Sequence, residues 1–515
     1  MMNKSILLMG TLLVSTFVEI AAQKNSENPN IIFVLADDMG IGDLGCYGQK
    51  KIKTPNIDKL AEKGVLFTNH YSGSTVSAPS RCSLLTGKHT GHAYIRGNKG
   101  IKSEEGFFDL HLPSDEVTVA EILKRKGYAT MCVGKWGLGG PHTTGSPVRK
   151  GFDYFFGYLS QGAAHRYYPE YLYENEDKVM LNKKVYSHFL IMEKGLDFIR
   201  KNAGHPFFAY FAITPPHADL DYPDLSQYED AFPETPYINN KQKGFKTQMK
   251  PKAAYASMVS EIDKNVGQII QLLKEKGILE NTIIIFSSDN GVHCVGGHEP
   301  DFFDSNGPYR GYKRDLYEGG VRAPFIVSWP KMIKKKRTVE HITTFWDFLP
   351  TVTELVGADM VKGIDGISYL PLLTGNGEVS HSHEYIYYEF YEQGGKQSIL
   401  KDGWKLVRLN MSKPEKLKEE LYYLPDDIGE QYDLLKENPQ KVEELRILAM
   451  KARTESLHFS WKSEKQRKAD KSGRGGCQDA RFYRIMTKVF CFSCRFGHFE
   501  VPCTPILKNI FLTGE

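Results

Sequence analysis

The chain has 515 residues, of which 41% are hydrophobic and 12% aromatic, so it can bury a large core and is not disordered in composition. This length fits one large domain or two. The net charge of +4 is too small to indicate a nucleic-acid-binding protein, and the basic residues concentrate towards the C-terminus.

Residues 1–22 have the pattern of a secretory signal peptide. Lys4 precedes an apolar run from Ile6 to Ala22, which is short for a membrane-spanning helix and is interrupted by Glu19. No cysteine follows the run, so a bacterial lipoprotein is not expected. We predict a periplasmic or secreted protein that is not an integral membrane protein; the alternative is an N-terminal membrane anchor.

Strand and helix patterns alternate along the next 250 residues, which predicts an α/β fold. Continuous apolar runs, typical of strands buried on both faces of a parallel sheet, occupy residues 30–38, 128–135, 207–217 and 282–291. Helical patterns lie between them, at residues 57–64, 115–126, 186–202 and 252–276.

Polar side chains stand at the end of each of these strands. They are Asp37, Asp38, Lys135, His217, Asp289 and Asn290. Because ligands of open α/β sheets bind beyond the carboxyl ends of the strands, we expect one cluster at that edge. The oxygen ligands suit Ca²⁺ or Mg²⁺, and the cations, with Arg81 and Lys313, suit a sulfate or phosphate ester. The alternative for the aspartates is helix capping.

Residues 77–87, SAPSRCSLLTG, combine a small hydroxyl, a turn and an arginine. Pro79 restricts the backbone before a short helix, for which Ser80 is a candidate N-cap. The free N–H groups at a helix N-terminus and the Arg81 guanidinium both attract anions. Leu84 and Leu85 are expected to anchor the helix in a core.

The pattern Ser-x-Pro-Ser-Arg-x-x-x-Leu-Thr-Gly in this stretch resembles the signature of the formylglycine-dependent sulfatases, in their bacterial serine form. Further stretches with the same resemblance are residues 311–322 (GYKRDLYEGGVR), 347–351 (DFLPT), 365–368 (DGIS) and 421–430 (LYYLPDDIGE). The resemblance covers about residues 29 to 455. It implies an alkaline-phosphatase-like fold, with a large, mostly parallel or mixed sheet between helices and a smaller C-terminal α+β subdomain of antiparallel sheet plus helix.

We accordingly divide the chain into a catalytic domain at 28–375, a C-terminal subdomain at 376–457 and an atypical basic tail at 458–515. In the subdomain, residues 397–409 predict a hairpin with an Asp402-Gly403 turn, and residues 439–455 predict an amphipathic helix. The tail holds four of the eight cysteines: Cys477, Cys491, Cys494 and Cys503. Their irregular spacing does not favour zinc, and disulfides would be permitted in a periplasm.

The resemblance also implies a role for each motif residue. A radical-SAM sulfatase-maturing enzyme would oxidise Ser77 to formylglycine (3-oxoalanine), whose hydrate is the nucleophile. One Ca²⁺ per chain would be held by Asp37, Asp38, Asp289, Asn290 and residue 77. Arg81 and the metal would favour the ionised hydroxyl, Lys135 would bridge nucleophile and sulfate, and His217 and Lys313 would protonate the leaving oxygen or hold the sulfate.

One residue departs from the family pattern. Many sulfatases carry Gly-Lys-Trp-His-Leu-Gly where residues 134–139 read GKWGLG, so Gly137 replaces a histidine that serves the hydrate during sulfate release. His89, His142 and His165 are candidate substitutes.

Six further residues are candidate substrate contacts: His92, Arg96, Asn98, His165, His293 and His298. Polar groups among aromatic residues suit a sugar, whose hydroxyls need hydrogen-bond partners and whose ring faces stack. We predict a sulfuric ester hydrolase that acts on sulfated carbohydrates as a glycan exo-sulfatase. The alternatives are a phosphodiesterase of the same superfamily and a non-catalytic homologue that binds sulfated glycans.

Overall fold

The computed structural model describes residues 28–103, 106–240, 244–375 and 382–462. The predicted signal peptide at 1–22 and the tail cysteines Cys477, Cys491, Cys494 and Cys503 lie outside these ranges. Within them, no helix has both the length and the apolar character that crossing a membrane requires.

The strands, in chain order, are β1 Asn30–Ala36, β2 Val65–Phe67, β3 His70–Tyr71, β4 Gly100–Ser103, β5 Gly106–Asp109, β6 Ala129–Lys135, β7 Tyr154–Tyr158, β8 Tyr171–Glu174, β9 Asp177–Met180, β10 Phe207–Ala212, β11 Thr282–Ser288, β12 Phe325–Ser328, β13 Arg337–Val339, β14 Thr343–Thr344, β15 Ile386–Phe390, β16 Lys396–Lys401, β17 Trp404–Leu409 and β18 Lys418–Tyr423.

The α-helices are α1 Pro55–Glu62, α2 Ser77–Thr86, α3 Val119–Arg125, α4 Ser187–Asn202, α5 Pro251–Glu275, α6 Pro300–Phe303, α7 Glu318–Val321, α8 Phe348–Leu355, α9 Leu370–Thr374 and α10 Pro439–Lys451.

A ten-stranded mixed sheet forms the centre, in the order β13-β2-β12-β11-β1-β10-β6-β7-β8-β9. Its five middle strands, from β11 to β7, run parallel, and antiparallel strands extend it on both sides. The four strands predicted from apolar runs are β1, β6, β10 and β11. They are neighbours in space, so their carboxyl ends share one edge of the sheet.

Alternate residues of β1 enter two different cores, one on each face of the sheet. Ile32 and Val34 pack with α1, α4 and α5, whereas Ile31, Phe33 and Leu35 pack with α2, α3 and α8. Covering both faces explains why the central strands are apolar throughout.

The C-terminal region forms a four-stranded antiparallel sheet, β15-β16-β17-β18, with α10 packed against β16 and β17. The predicted hairpin turn at Asp402-Gly403 joins β16 to β17, with Trp404 paired to Lys401. The predicted α/β architecture with a smaller antiparallel sheet and helix is therefore confirmed.

Candidate active site

The polar residues at the strand ends meet at one edge of the central sheet. Asp37 follows β1, and the backbone N–H of Asp289, after β11, donates to Ala36 O over 3.0 Å. Lys135 ends β6 and His217 follows β10, so four neighbouring strands supply the cluster. These side chains are all buried.

Three buried carboxylates form a cluster that fits a hard divalent cation. One oxygen from each of Asp37, Asp38 and Asp289 lies within 4.8 Å of the others. Asn290 Nδ2 donates to Asp38 Oδ1 over 2.7 Å, whereas Asn290 Oδ1 is buried and has no hydrogen-bond partner among the described residues. An orphaned amide oxygen beside three carboxylates is the donor set that Ca²⁺ or Mg²⁺ prefers.

Ser77 lies directly against this cluster. Its Oγ donates to Asp37 Oδ1 over 3.0 Å and accepts from Lys135 Nζ over 3.0 Å. Lys135 Nζ also binds Asp37 Oδ2 over 2.6 Å. The hydroxyl of residue 77 is thus held between a carboxylate and an ammonium.

The helix that carries Ser77 begins earlier than expected. Ser77 itself is the first residue of α2, so Ser80 lies inside the first turn and is not the N-cap. Ser80 Oγ instead donates to Asp289 O over 2.5 Å and accepts from Gly73 N over 3.0 Å. These bonds tie the start of α2 to the carboxylate cluster, and buried Leu84 and Leu85 anchor the rest of the helix as expected.

Arg81 lies one turn after Ser77 and binds the same cluster. Its guanidinium donates to Asp289 Oδ2 over 2.9 Å and to Lys135 O over 3.0 Å, and it lies 3.8 Å from Asp37 Oδ1. Arg81 therefore fixes the positions of both Asp289 and Lys135.

His217 and Lys313 form the opposite wall. Lys313 Nζ donates to Asp38 Oδ2 over 2.5 Å and lies 3.1 Å from His217 Nε2. His217 Nδ1 contacts the carbonyl oxygen of Ala218, so Nδ1 carries the proton and Nε2 is the acceptor. Lys313 therefore supplies the proton between the two side chains. His217 Nε2 lies 3.1 Å from Asp38 Oδ2, a contact that the shared Lys313 ammonium makes favourable.

The three carboxyl groups of the cluster differ in pKa. Burial opposes ionisation of Asp37, but the charges of Lys135 and Arg81 outweigh it and hold the pKa of Asp37 well below the usual range. The pKa of Asp38 is lowered likewise, against burial, chiefly by Lys313. Burial and the Asp37 charge raise the pKa of Asp289 to about 6. Asp37 and Asp38 are therefore ionised at neutral pH.

Two basic side chains of the same site, His217 and Lys135, have lowered pKa values. Burial and the neighbouring Lys313 hold the pKa of His217 well below its usual value. Burial also lowers the pKa of Lys135, although Asp37 opposes the shift. His217 is therefore neutral at neutral pH, which agrees with its role as the acceptor from Lys313.

The candidate substrate residues fall into two groups. His165 stacks on His217, with ring centroids 4.3 Å apart, and Asn98 Oδ1 accepts from the N–H of Ala78 over 3.4 Å. These two border the site, and so does His293, whose ring centroid lies 5.6 Å from that of His217. The other three are held by neighbouring protein groups: His92 binds Asp365, Arg96 binds Glu389, and His298 stacks on Tyr255.

A second group of possible metal ligands consists of His89, His92 and Asp365. His89 Nδ1 accepts the N–H of Gly91 over 3.0 Å, so the proton of the neutral ring sits on Nε2, which faces Asp365 Oδ1 at 3.6 Å. A protonated nitrogen cannot ligate a metal. Hydrogen bonds from the backbone N–H of His89 and from His92 Nδ1 to Asp365 join the loop after α2 to residue 365.

Two residues beside the site escaped the sequence analysis. Gln161 lies over Gly137, and Asp109 accepts the N–H of Gln161 over 2.6 Å. The glycine at 137, where many sulfatases have a histidine, was the only indication in the sequence that another side chain occupies this space.

Comparison with known proteins gives two overlapping matches. The family model described as "Sulfatase" matches residues 29–358, and the model described as "N-sulphoglucosamine sulphohydrolase, C-terminal" matches residues 307–458. The chain belongs to the sulfatase family. The predicted family and the predicted class of enzyme, a sulfuric ester hydrolase, are confirmed, and this sulfatase has the alkaline-phosphatase-like fold expected of it.

Relatives of known activity include animal sulfatases. N-acetylgalactosamine-6-sulfatase of Canis lupus familiaris is 32% identical over 396 residues, which are 71% of this chain and 69% of the relative. Steryl-sulfatase of Homo sapiens is 29% identical over 455 residues, 72% and 74% of the two chains. The crystal structure of Ps i-CgsB in complex with k-i-k-neocarrahexaose has a TM-score of 0.69 at 27% identity and covers 84% of this chain and 96% of its own.

Proposed function

We propose that this sulfatase hydrolyses sulfate esters of carbohydrates, as an exo-acting enzyme, through a hydrated formylglycine made from Ser77. The observation that carries the proposal is the position of the Ser77 hydroxyl, 3.0 Å from both Asp37 Oδ1 and Lys135 Nζ, inside the sulfatase signature. A plain serine ester of sulfate has no second hydroxyl with which to expel the sulfate, whereas a hydrated aldehyde does. Conversion of Ser77 therefore makes turnover feasible.

The charges of the site favour a dication together with an anionic substrate. The carboxylates of Asp37, Asp38 and Asp289 are matched in number by the cations Arg81, Lys135 and Lys313. A bound dication adds two positive charges, which one ionised hydroxyl and one sulfate monoester anion would neutralise. Asp37, Asp38, Asp289, Asn290 and the hydrate of residue 77 would hold one Ca²⁺. When bound, it would polarise the hydrate and the sulfate oxygens.

In the first step, each of these side chains has a separate role. Asp37 and Lys135 position one hydroxyl of the hydrate, and Lys135 and Arg81 favour its ionised form by their positive charge. That oxygen attacks sulfur, and the bond between sulfur and the sugar oxygen breaks. Lys313, already donating towards His217, delivers a proton to the departing oxygen. His217 holds Lys313 in place and contacts the sulfate.

The second step regenerates the aldehyde. The remaining hydroxyl of residue 77 loses its proton, its electrons form the carbonyl double bond, and the bond from carbon to the sulfate oxygen breaks. Sulfate leaves, and water then rehydrates the aldehyde. This step needs a proton acceptor near residue 77.

A sulfated sugar is the substrate class that the surroundings favour. His165 and Asn98 border the site and offer an aromatic face and polar atoms to a sugar ring. Relatives named for N-acetylgalactosamine-6-sulfatase and a neighbour solved with a neocarrahexaose support this class, whereas the steryl-sulfatase relatives represent a different one. The complete set of Lys135, His217 and Lys313 argues against a non-catalytic glycan binder, and the signature argues against a phosphodiesterase.

The remaining expectations stay part of the proposal. They are export by the signal peptide at 1–22 to the periplasm or beyond, maturation by a radical-SAM enzyme, and division into a catalytic domain at 28–375 and a subdomain at 376–457. No partner other than the substrate and the maturing enzyme is needed by the reaction.

The test is sulfate release from a panel of sulfated mono- and disaccharides by protein co-expressed with a serine-type maturase. We expect release from at least one sugar, loss of release after chelation of divalent cations, and recovery when Ca²⁺ is added. Ser77→Ala, which cannot be matured, is the control and should release none. Activity on a phosphodiester with none on any sulfate ester would contradict the proposal.

A further inference from the structure

A pocket opens beside the candidate active site, on the side of His217 and Lys313. It has a volume of about 490 Å³ and is lined by Thr235, Pro236, Tyr237 and Phe245 on one side and by residues 294–299 on the other. This volume lies in the range of sites that enclose small ligands. No residue to which the proposed reaction gives a role lines the pocket, so its purpose is still to be explained.

Phe245 is shared between this pocket and the reacting groups. Its ring centroid lies 6.4 Å from that of His217 and 6.1 Å from that of His165. Gly296, on the other side of the pocket, packs so closely that a Cβ there would lie 2.7 Å from Ala218 Cβ, and Ala218 directly follows His217. The pocket and the candidate active site are therefore separated by one layer of side chains.

The second side of the pocket continues from the segment that holds Lys313. The backbone N–H of Lys313 donates to Val292 O over 2.9 Å, two residues before the lining of the pocket begins. Between them lies His293, whose ring centroid is 5.6 Å from that of His217. Because Lys313 is the proposed donor to the departing sugar oxygen, a group attached to that sugar would extend towards the pocket.

Hydrogen bonds tie the side of the pocket that contains Tyr237 to the loop after β10. Tyr237 and Gln248 exchange two backbone hydrogen bonds of 2.9 Å, and Gln248 Nε2 donates to Leu220 O over 2.6 Å. The backbone N–H of Lys246 donates to the buried carboxylate of Asp219 over 2.8 Å. The pocket is therefore formed before a ligand arrives, which limits the entropy that binding costs.

The lining of the pocket favours an uncharged ring. Tyr237 and Phe245 offer aromatic faces on which the C–H face of a sugar stacks, and the Thr235 hydroxyl and the backbone of 294–299 offer polar atoms to its hydroxyls. Among the described residues, no lysine or arginine lines the pocket, and Glu299 is its one carboxylate.

Three cations beside the pocket already have carboxylate partners. They form the pairs Arg166–Asp219, Lys246–Asp221 and Lys252–Glu299, with N···O distances of 2.5–2.6 Å. A sulfate or uronate group in the pocket would lose water without gaining an unpaired cation among the described residues, and this is unfavourable for an ion.

We propose that this pocket binds an uncharged sugar that is linked to the sulfated one, and that the enzyme thereby selects oligosaccharides whose sulfated end unit has a neutral neighbour. The inference rests on the proposed function and adds the identity of the unit next to the reacting one. The sulfated unit lies between Lys313 and Phe245, and the neutral unit stacks on Phe245 and Tyr237.

The first experiment compares kcat/KM of the matured enzyme for three substrates with the same sulfated sugar, the one that the substrate panel identifies. They are the free monosaccharide, its disaccharide with a neutral hexose and its disaccharide with glucuronic acid. We expect the neutral disaccharide to exceed each of the other two by about tenfold, because it alone fills the pocket without burying a charge.

Tyr237→Ala removes one stacking face from the pocket. It should lower the ratio of kcat/KM for the neutral disaccharide to that for the monosaccharide by about 5–10-fold. Tyr432→Ala, the same change at a residue that is 73% exposed, is the control and should leave this ratio as in the wild type.

A cation introduced into the pocket should change the preference. Thr235→Arg should raise kcat/KM for the glucuronate disaccharide, relative to the neutral one, by about tenfold, because a guanidinium binds a carboxylate through two hydrogen bonds. Thr338→Arg, the same change at an exposed position of β13, should not alter the preference. A gain for one substrate cannot arise from poor folding of the variant.

Saturation-transfer NMR tests the pocket without sulfatase activity. We expect transfer from the wild-type protein to unsulfated lactose, at least twofold less transfer from Tyr237→Ala, and less transfer from the wild type to glucuronic acid at the same concentration.

Equal kcat/KM for the three substrates would overturn the inference, as would a wild-type preference for the glucuronate disaccharide. A ratio for Tyr237→Ala within about twofold of the wild type would also do so. A matured wild type that releases no sulfate from any substrate would instead refute the proposed function, and the lactose measurement would then decide whether the pocket binds a neutral sugar.

Discussion

In the proposed mechanism, the contact between Lys313 and His217 determines which of the two side chains would protonate the leaving group. His217 Nδ1 is engaged by a carbonyl oxygen, and burial and Lys313 keep its pKa low, so the ring is neutral and accepts at Nε2. Lys313 is the charged partner, 3.1 Å away. We therefore propose that the Lys313 ammonium is the acid and that the His217 imidazole orients it.

Lys313→Met should slow the enzyme according to how much its leaving group needs a proton. A sugar alkoxide is a poor leaving group, so hydrolysis of a sugar sulfate should fall by about 10²–10⁴-fold. A nitrophenolate leaves without protonation, so hydrolysis of nitrophenyl sulfate should fall far less. Steady-state kcat/KM for both substrates checks this.

Arg314→Met is the neighbouring control for Lys313→Met, because Arg314 binds Glu392 rather than the carboxylate cluster. It should affect the two substrates to the same extent. Equal loss of activity towards both substrates in Lys313→Met would contradict the acid role of Lys313 and leave it as a sulfate contact.

Among individual residues, the sequence predicted those whose position follows from strand ends or from the family motifs. Asp37, Asp38, Asp289 and Asn290 each follow a strand, and the strands proved to be neighbours. Asp109 and Gln161 could not be predicted in this way, because their meeting depends on how two loops pack beside Gly137. The N-cap expected at Ser80 was wrong because α2 begins at Ser77, which leaves Ser80 free to bind Asp289 O.

At the scale of elements, the short helix α7 is joined to the C-terminal sheet through a buried ion network. Lys405, on β17, lies 2.7 Å from Glu318 Oε1 and 2.9 Å from Glu430 Oε1. Burial favours the protonated form of Glu318, but Lys405 and Arg322 lower its pKa to about 2. Burial raises the pKa of Glu430 to about 7. The helix that follows Lys313 is therefore held by charges from another sheet.

Lys405→Met should destabilise the protein by about 3–5 kcal/mol at neutral pH, because it leaves two buried carboxyls without their shared cation. The penalty should shrink as the pH falls, since the stability that the low pKa of Glu318 provides is present above the usual glutamate value and is lost towards pH 2. Urea unfolding at several pH values measures it.

Lys401→Met provides the matched control on the neighbouring strand. Its ion pair with Glu384 spans 3.6 Å, and the Glu384 side chain is 68% exposed, so the change should cost less than about 1 kcal/mol. Equal costs for the two variants would show that the buried network does not stabilise the junction.

Helices and strands with strong patterns were predictable from sequence. The four apolar runs gave β1, β6, β10 and β11, and the predicted helix at 252–276 is α5, Pro251–Glu275. Three of the runs, at 30–38, 207–217 and 282–291, extend past the ends of their strands into the loops that carry the site, whereas the run at 128–135 ends with β6. The antiparallel additions at the sheet's edges depend on long-range pairing, as between β12 and β2, which the local pattern does not encode.

At the scale of the whole molecule, the order of strands brings distant parts of the chain to one place. Residues 37, 77, 135, 217, 289 and 313 span 277 positions and meet at the carboxyl edge of the parallel strands. Rigid strand ends and the first turn of α2 hold these groups before substrate arrives. Such preorganisation of charge is what stabilises a transition state.

Conversion of Ser77 to formylglycine is tested most directly by the mass of the peptide that contains Ser77, taken from protein that releases sulfate after co-expression with a serine-type maturase. We expect a loss of two hydrogens at residue 77, with sulfate release proportional to the converted fraction. Full sulfate release by protein in which Ser77 is unmodified would contradict the formylglycine mechanism.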